Sequence, residues 1–166
     1  MILSPDFDDP KEMYAFFGLA AYKANLLEVS FINWTAALKL GGVIDATQCD
    51  FNLIFEESEK KTLGQLLGLT KSLTDISEDF SVVLNKALKE RNRLIHNFYR
   101  EHAQNLIHLS GRKIIISELI QMIKIFEQAD VLVTPVYLSL WEKLGLSEAM
   151  IEEELALMYQ EVRSKS

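Results

Sequence analysis

Cysteine is almost missing from this 166-residue chain, where Cys49 stands alone. A single thiol excludes an internal disulfide framework and any multi-cysteine zinc site, and it fits a reducing compartment. No histidine or basic residue lies near Cys49 in sequence, so it reads as a small buried apolar residue rather than a nucleophile. The three histidines lack matching carboxylate spacing, which leaves no case for a metal. Serines and aspartates are too scattered to single out a Ser-His-Asp set. Glycine and proline are scarce, with seven and three residues. Gly64 and Gly68 are not a phosphate loop, because no lysine and hydroxyl residue follow the second glycine. Their spacing of four suits close helix packing instead. No basic segment precedes an apolar run at the N-terminus, so no signal peptide is expected. The apolar stretch from Ala15 to Leu40 is interrupted by Lys23, Asn25, Glu28 and Asn33, which argues against a membrane span. A cytoplasmic location is the resulting expectation. Positive charge is also short: the net charge of −7 excludes broad, non-specific nucleic-acid binding.

What remains is a helix-forming composition. Apolar residues make up 49% of the chain, and Leu, Ala, Glu and Lys are abundant. The length suits one domain with a single core, spanning residues 1–166. Asp9-Pro10-Lys11-Glu12 predicts a helix start, with Asp9 as N-cap, Pro10 at the first position and Glu12 closing a capping box. That helix should run to Leu40 and stop at Gly41-Gly42. Its aromatics (Tyr14, Phe16, Phe17, Tyr22, Phe31, Trp34) read as core or oligomer interface rather than a cofactor box. No cofactor is expected.

A second helix is predicted over Asp45 to Lys61, with Asp45 and Gln48 as its capping box. Its Glu56, Glu57 and Glu59 read as a solvated face. Thr62 and Gln65 form another box and open a short helix through Leu73. Ser77 opens a long helix expected to continue to about His108. Arg112 to Leu144 is read as a further helix, kinked or broken near Val133 by Pro135 and ended by Gly145. Ser147 should cap a last helix, 148–163, with Glu152-Glu153-Glu154 in solvent. The expected fold is all-α, an antiparallel bundle of five or six helices with short turns.

One segment resists a purely structural reading. From Lys86 to Lys113 there are seven basic residues and two acidic ones, a local +5 against −12 elsewhere. At about 100° per residue, Leu84, Leu88, Ile95 and Phe98 fall on one stripe, with Arg91 in its middle. A charge there requires a partner or an open cleft. Asn92 and His96, four apart, stack on one flank. His102 and His108 read as structural or surface residues, and Arg93 and Arg100 as solvated ones.

Arg91-Asn92-(Arg93-Leu94-Ile95)-His96 resembles the R-x4-H signature of HEPN domains, in which a polar residue, often Asn, follows the arginine. Leu84 to Leu88 and Phe98-Tyr99 are also similar to that family's motif helix. The motif covers six residues, and the likeness extends loosely over the rest of the chain. The resemblance implies a small helical bundle and a metal-independent ribonuclease of toxin–antitoxin, phage-defence or RNA-processing type. His96 would be general acid or base and Arg91 would meet the phosphate, with Asn92, Arg100 and Tyr99 as orienting and phosphate-binding residues. One chain supplies one such set, so the resemblance implies a homodimer with a composite site, RNA as substrate, and an antitoxin or other protein partner. In the branch regulated by tyrosine modification, the tyrosine stands two residues after the histidine. Here Phe98 occupies that position, so that regulation is not expected. The alternative is a non-catalytic helical dimerisation or protein-interaction module that retains the motif.

Overall fold

The computed structural model describes residues 5–146, and the predicted helix over 148–163 with its Glu152–Glu154 run lies outside them. The described residues form six helices and no strand: α1 (Lys11–Leu40), α2 (Gln48–Glu59), α3 (Leu63–Leu73), α4 (Glu78–His96), the single turn α5 (Phe98–Glu101) and α6 (Leu109–Lys143).

Short-range hydrogen bonds explain most helix ends. α1 begins at Lys11 with Pro10, rather than the expected Asp9, in the cap position and with no side-chain cap bond there. Asp9 Oδ1 accepts the Lys11 N–H at 2.8 Å from one residue further back. No bond returns from the Glu12 carboxylate among the described residues. The cap of α2 falls two residues after the expected Asp45. Thr47 is extended there, its hydroxyl accepting the Asp50 N–H while the Asp50 carboxylate accepts the Thr47 N–H at 2.9 Å. Asp45, expected to cap, instead has a φ of 53° in the preceding turn, a left-handed conformation that Asp tolerates. Thr62 and Gln65 form the reciprocal box of α3 as their spacing predicts. Ser77 accepts the Phe80 N–H at the start of α4.

α4 does not continue to His108. It stops at His96, and Asn97 leaves helical geometry at φ −127°. The bend turns Phe98 and His102 inward, where both are buried. α6 begins earlier than Arg112 and passes through Pro135 without a break. Its C-terminal end is a Schellman turn: Leu146 donates to the Trp141 carbonyl at 2.9 Å and Gly145 to Glu142 at 3.0 Å, with Gly145 at φ +85°.

Residue pairings fix the helix directions. Lys23 meets Glu127, Ser30 meets Asp130, and Leu40 packs beside Trp141 at the far end, so α1 and α6 run parallel along their lengths. α4 runs antiparallel to α1, since Trp34 stacks on Phe80, Arg91 meets Glu28, and Phe98 approaches Phe17. The expected antiparallel bundle is therefore corrected in one respect. The chain reverses an even number of times between α1 and α6, which brings these two long helices together in the same direction.

The core lies among α1, α3, α4 and α6, with Leu27, Phe31, Leu66, Leu84, Leu94, Ile115, Phe126 and their neighbours almost fully buried. A second cluster, Ala36, Ala37, Leu40 and Trp141, is covered by Phe51 and Phe55 of α2. The buried stripe of α4 is Leu84, Ala87 and Leu94, whereas Ile95 is 47% exposed. Cys49 is exposed rather than buried. Gly64 packs near Leu88, but Gly68 has open space around it and mediates no close approach. Phe16, Phe31 and Trp34 enter the core, while Tyr14 and Tyr22 are exposed.

α1 is the one described helix long and apolar enough to cross a membrane. Its stripe of Met13, Phe16, Ala20, Ala24, Leu27 and Phe31 is used by the core. The polar residues that interrupt it tie helices together: Lys23 pairs with Glu127 at 2.8 Å and Glu28 with Arg91 at 3.1 Å.

Candidate functional site

α4 carries the motif on its last two turns. Arg91 sits between Ala87 and Leu94 on the buried stripe, and its charge has a partner within the chain. Nη2 donates to Glu28 Oε2 at 3.1 Å, with both side chains about 20% exposed. Nη1 donates to Asn92 Oδ1 at 3.3 Å. The partner that a charge on an apolar seam requires is therefore present, and α1 supplies it. Asn92 and His96 are exposed, one turn apart on the same flank, with His96 the final residue of α4. Cations are favourable at a helix C-terminus, where unpaired carbonyls concentrate negative potential.

The other two predicted residues stand apart. Arg100 is exposed on α5. Tyr99 turns inward, its ring 4.8 Å from that of Phe17 and its hydroxyl buried without a hydrogen bond. Burial, and secondarily the neighbouring Tyr14, raises its pKa above the ordinary tyrosine value. A buried hydroxyl cannot serve a phosphate in this conformation.

Arg93, expected to be solvated, is instead the hub of a network. Its guanidinium meets Glu101 of α5 at 2.6 Å, Glu118 of α6 at 2.7 Å and Glu90 of its own helix at 3.5 Å. It also lies over the Phe98 ring, 5.8 Å from the centroid. Partial burial opposes its charge, but the hydrogen bonds and charges of Glu118 and Glu101 outweigh that and raise its pKa above the arginine norm. Glu118 shows the mirror effect. Burial pushes its carboxyl up, yet the hydrogen bond and charge of Arg93 and the hydrogen bond from His102 bring it below the usual carboxylate value.

His102 completes the network from beneath. It is 4% exposed, with Nε2 3.3 Å from Glu118 Oε2 and Nδ1 3.0 Å from Asn105 Nδ2. An amide N–H can only donate, so Nδ1 accepts and Nε2 carries the proton toward Glu118. Sequence reasoning missed this group. Its members are spread from residue 90 to residue 118, and only the bend at Asn97 brings them together. The i+3 spacing of Glu90 and Arg93 was the single local signal.

The basic segment is thus partly neutralised within the fold. Arg91 and Arg93 are ion-paired, Arg112 donates to the Asp8 carbonyl at 3.0 Å, and Lys113 lies over the Phe7 ring. Lys86, Lys89 and Arg100 are exposed. Among the described residues no cluster of His, Cys, Asp or Glu has the arrangement of a metal site. Glu57 of the acidic helix meets Lys39 at 3.2 Å.

No protein family, curated protein or solved structure matches this chain.

Proposed function

We propose that the chain is a metal-independent endoribonuclease of HEPN type, acting on RNA as a homodimer in the cytoplasm, within a toxin or defence system that includes an antitoxin or other protein partner. The observation that carries this reading is the end of α4. There a guanidinium is fixed by Glu28 and Asn92, while Asn92 shares an exposed flank with His96. Cleavage without a metal needs a base for the 2′-hydroxyl, an acid for the leaving oxygen and positive charge for the phosphate. His96 takes the proton-transfer role and Arg91 the charge. A second copy supplies the second histidine, so one can act as base and the other as acid.

A second reading rests on the Arg91–Glu28 pair itself. If that pair exists to tie α4 to α1, the motif is structural and the chain is a non-catalytic interaction module.

The test is RNA cleavage in EDTA by the full chain. The enzyme reading expects His96→Ala to lose about 100-fold or more of activity, the scale of general acid–base catalysis, with an unchanged melting temperature. Arg91→Ala loses activity as well. Glu28→Gln separates the readings, because it removes the tie but leaves Arg91 in place, so cleavage persists while stability falls. An inert wild type, or a strict monomer holding half a site, overturns the enzyme.

A further inference from the structure

The outer side of α1 carries no charge over most of its length. Between Tyr14 and Asn33 only Lys23 and Glu28 are charged, and both turn to neighbouring helices, to Glu127 at 2.8 Å and to Arg91 at 3.1 Å. Tyr14, Gly18, Tyr22, Asn25 and Val29 recur at spacings of three and four, a single stripe opposite the buried one. All five are exposed, Tyr14 by 63%, Tyr22 by 57% and Val29 by 52%. Two tyrosines and a valine open to water on one neutral face form an unpartnered surface.

We infer that this face is the contact between two copies of the chain, α1 against α1, antiparallel about a two-fold axis level with Gly18. The order of residues along the stripe is self-complementary. Antiparallel pairing about Gly18 brings residues at equal distances on either side level with one another. Tyr14 and Tyr22 each lie four residues from it, so Tyr14 of each copy meets Tyr22 of the other, the reciprocal pairing that an isologous contact demands. Tyrosine is also a side chain that interfaces favour. Lys11 comes level with Asn25 of the second copy, whose amide oxygen can accept from it. Charge points to the same occupant. Each copy carries −7, so two copies repel unless they meet across a face without charge. Nothing lies within 4 Å of a Cβ added at Gly18. Helices held about 10 Å apart by the tyrosines leave room there for a methyl group but not for a long charged side chain.

On the ribonuclease reading, on which this step alone rests, the same contact assembles the site. A two-fold axis that sets one helix antiparallel against its copy keeps the same flanking helix on the same side of both. α4 flanks α1, tied to it by Arg91 on Glu28 and by Phe98, whose ring is 6.1 Å from that of Phe17. His96 lies between these two ties. Both copies of Asn92 and His96 therefore border one edge of the contact and face a common cleft.

Sedimentation of the full chain, with Cys49 changed to Ser, tests this. The parent should be a dimer. Gly18→Glu puts two carboxylates near the axis and should weaken self-association at least about 100-fold. Its helix content should not fall, because glutamate is the better helix former at an open site. Val131→Glu, a charge on the exposed side of α6, should leave the dimer intact. Under oxidation Gly18→Cys should join two chains, since Cα atoms facing across that spacing stand about 5 Å apart, within disulfide reach. Tyr14→Cys should not, its two copies being about 12 Å apart along the helices. A dimer of this kind that cleaves no RNA supports the contact and removes only the ribonuclease. A dimer broken by Val131→Glu and not by Gly18→Glu overturns the contact and leaves the ribonuclease standing. Equal cross-linking of Gly18→Cys and Tyr14→Cys describes a parallel contact and also overturns it. So does a strict monomer, whether free or co-sedimenting with phosphatidylcholine vesicles, which would make lipid the occupant.

Discussion

Gly111 lies directly beneath Asn105: a Cβ added to Gly111 would come within 2.5 Å of the Asn105 Cα and 2.7 Å of its carbonyl carbon. Both neighbours are backbone, so neither can rotate away. The loop after α5 can therefore settle on the first turn of α6 only over a glycine. That seating carries Asn105 to the His102 ring and His102 to Glu118.

Gly111→Ala is accordingly expected to destabilise by about 1–3 kcal/mol, the usual cost of overpacking, although alanine is the better helix former. Gly18→Ala provides the contrast. Gly18 lies inside α1 with nothing within 4 Å of an added Cβ, so propensity alone acts and should stabilise by roughly 0.5–1 kcal/mol. Thermal unfolding of the two variants should show melting shifts of opposite sign.

Acid should weaken the network around Arg93. The Glu118 carboxyl is held below the ordinary glutamate value in the folded chain, so its contribution is fully present above that value. It is lost as pH falls through the lower, folded value. Glu118 remains partly open to solvent, which keeps the contribution modest. Stability measured from pH 7 to pH 3 should therefore fall less steeply in Glu118→Gln than in the wild type, from a lower starting point. Parallel curves would mean that Glu118 does not couple to folding.

The Arg91–Glu28 pair is largely buried and spans two helices. Removing one partner leaves the other charge on a largely apolar seam, so the costs of Arg91→Met and Glu28→Met should sum to more than the cost of the double replacement. A double-mutant cycle in urea should return a coupling of about 1 kcal/mol. A coupling near zero would mean that Arg91 is held by packing alone, free to answer to a phosphate.

Pro135 removes the donor that the Val131 carbonyl would otherwise meet inside α6. Restoring it with Pro135→Ala should stabilise by up to about 3 kcal/mol, reduced by up to about 1 kcal/mol because proline also restrains the unfolded chain. A raised melting temperature, with unchanged helix content by circular dichroism, is the expected result.

Signals that act within one turn were legible before any coordinates. The Thr62 and Gln65 box, Ser77 and Gly145 all mark helix ends through bonds spanning a few residues, and the structure places them as read. Thr47 replaced Asp45 as a cap because two local solutions competed, and the backbone at Asp45 turned left-handed. The motif residues Arg91, Asn92 and His96 were also visible, being neighbours on one helix. Arg93 and His102 were not, since nothing within a turn of either shows that Glu101 and Glu118 will converge on them.

The sequence by itself determined an all-helical chain, most of its helix starts and the contents of the α4 motif, because caps and periodicity are properties of consecutive residues. Only the tertiary structure decided that α1 and α6 run parallel, that α4 ends at His96, and that Leu94 rather than Ile95 faces the core. It alone supplied Glu28, 63 residues away, as the partner of Arg91. Such choices depend on desolvation and on charges meeting across helices. Those energies exist only once distant segments are brought into contact.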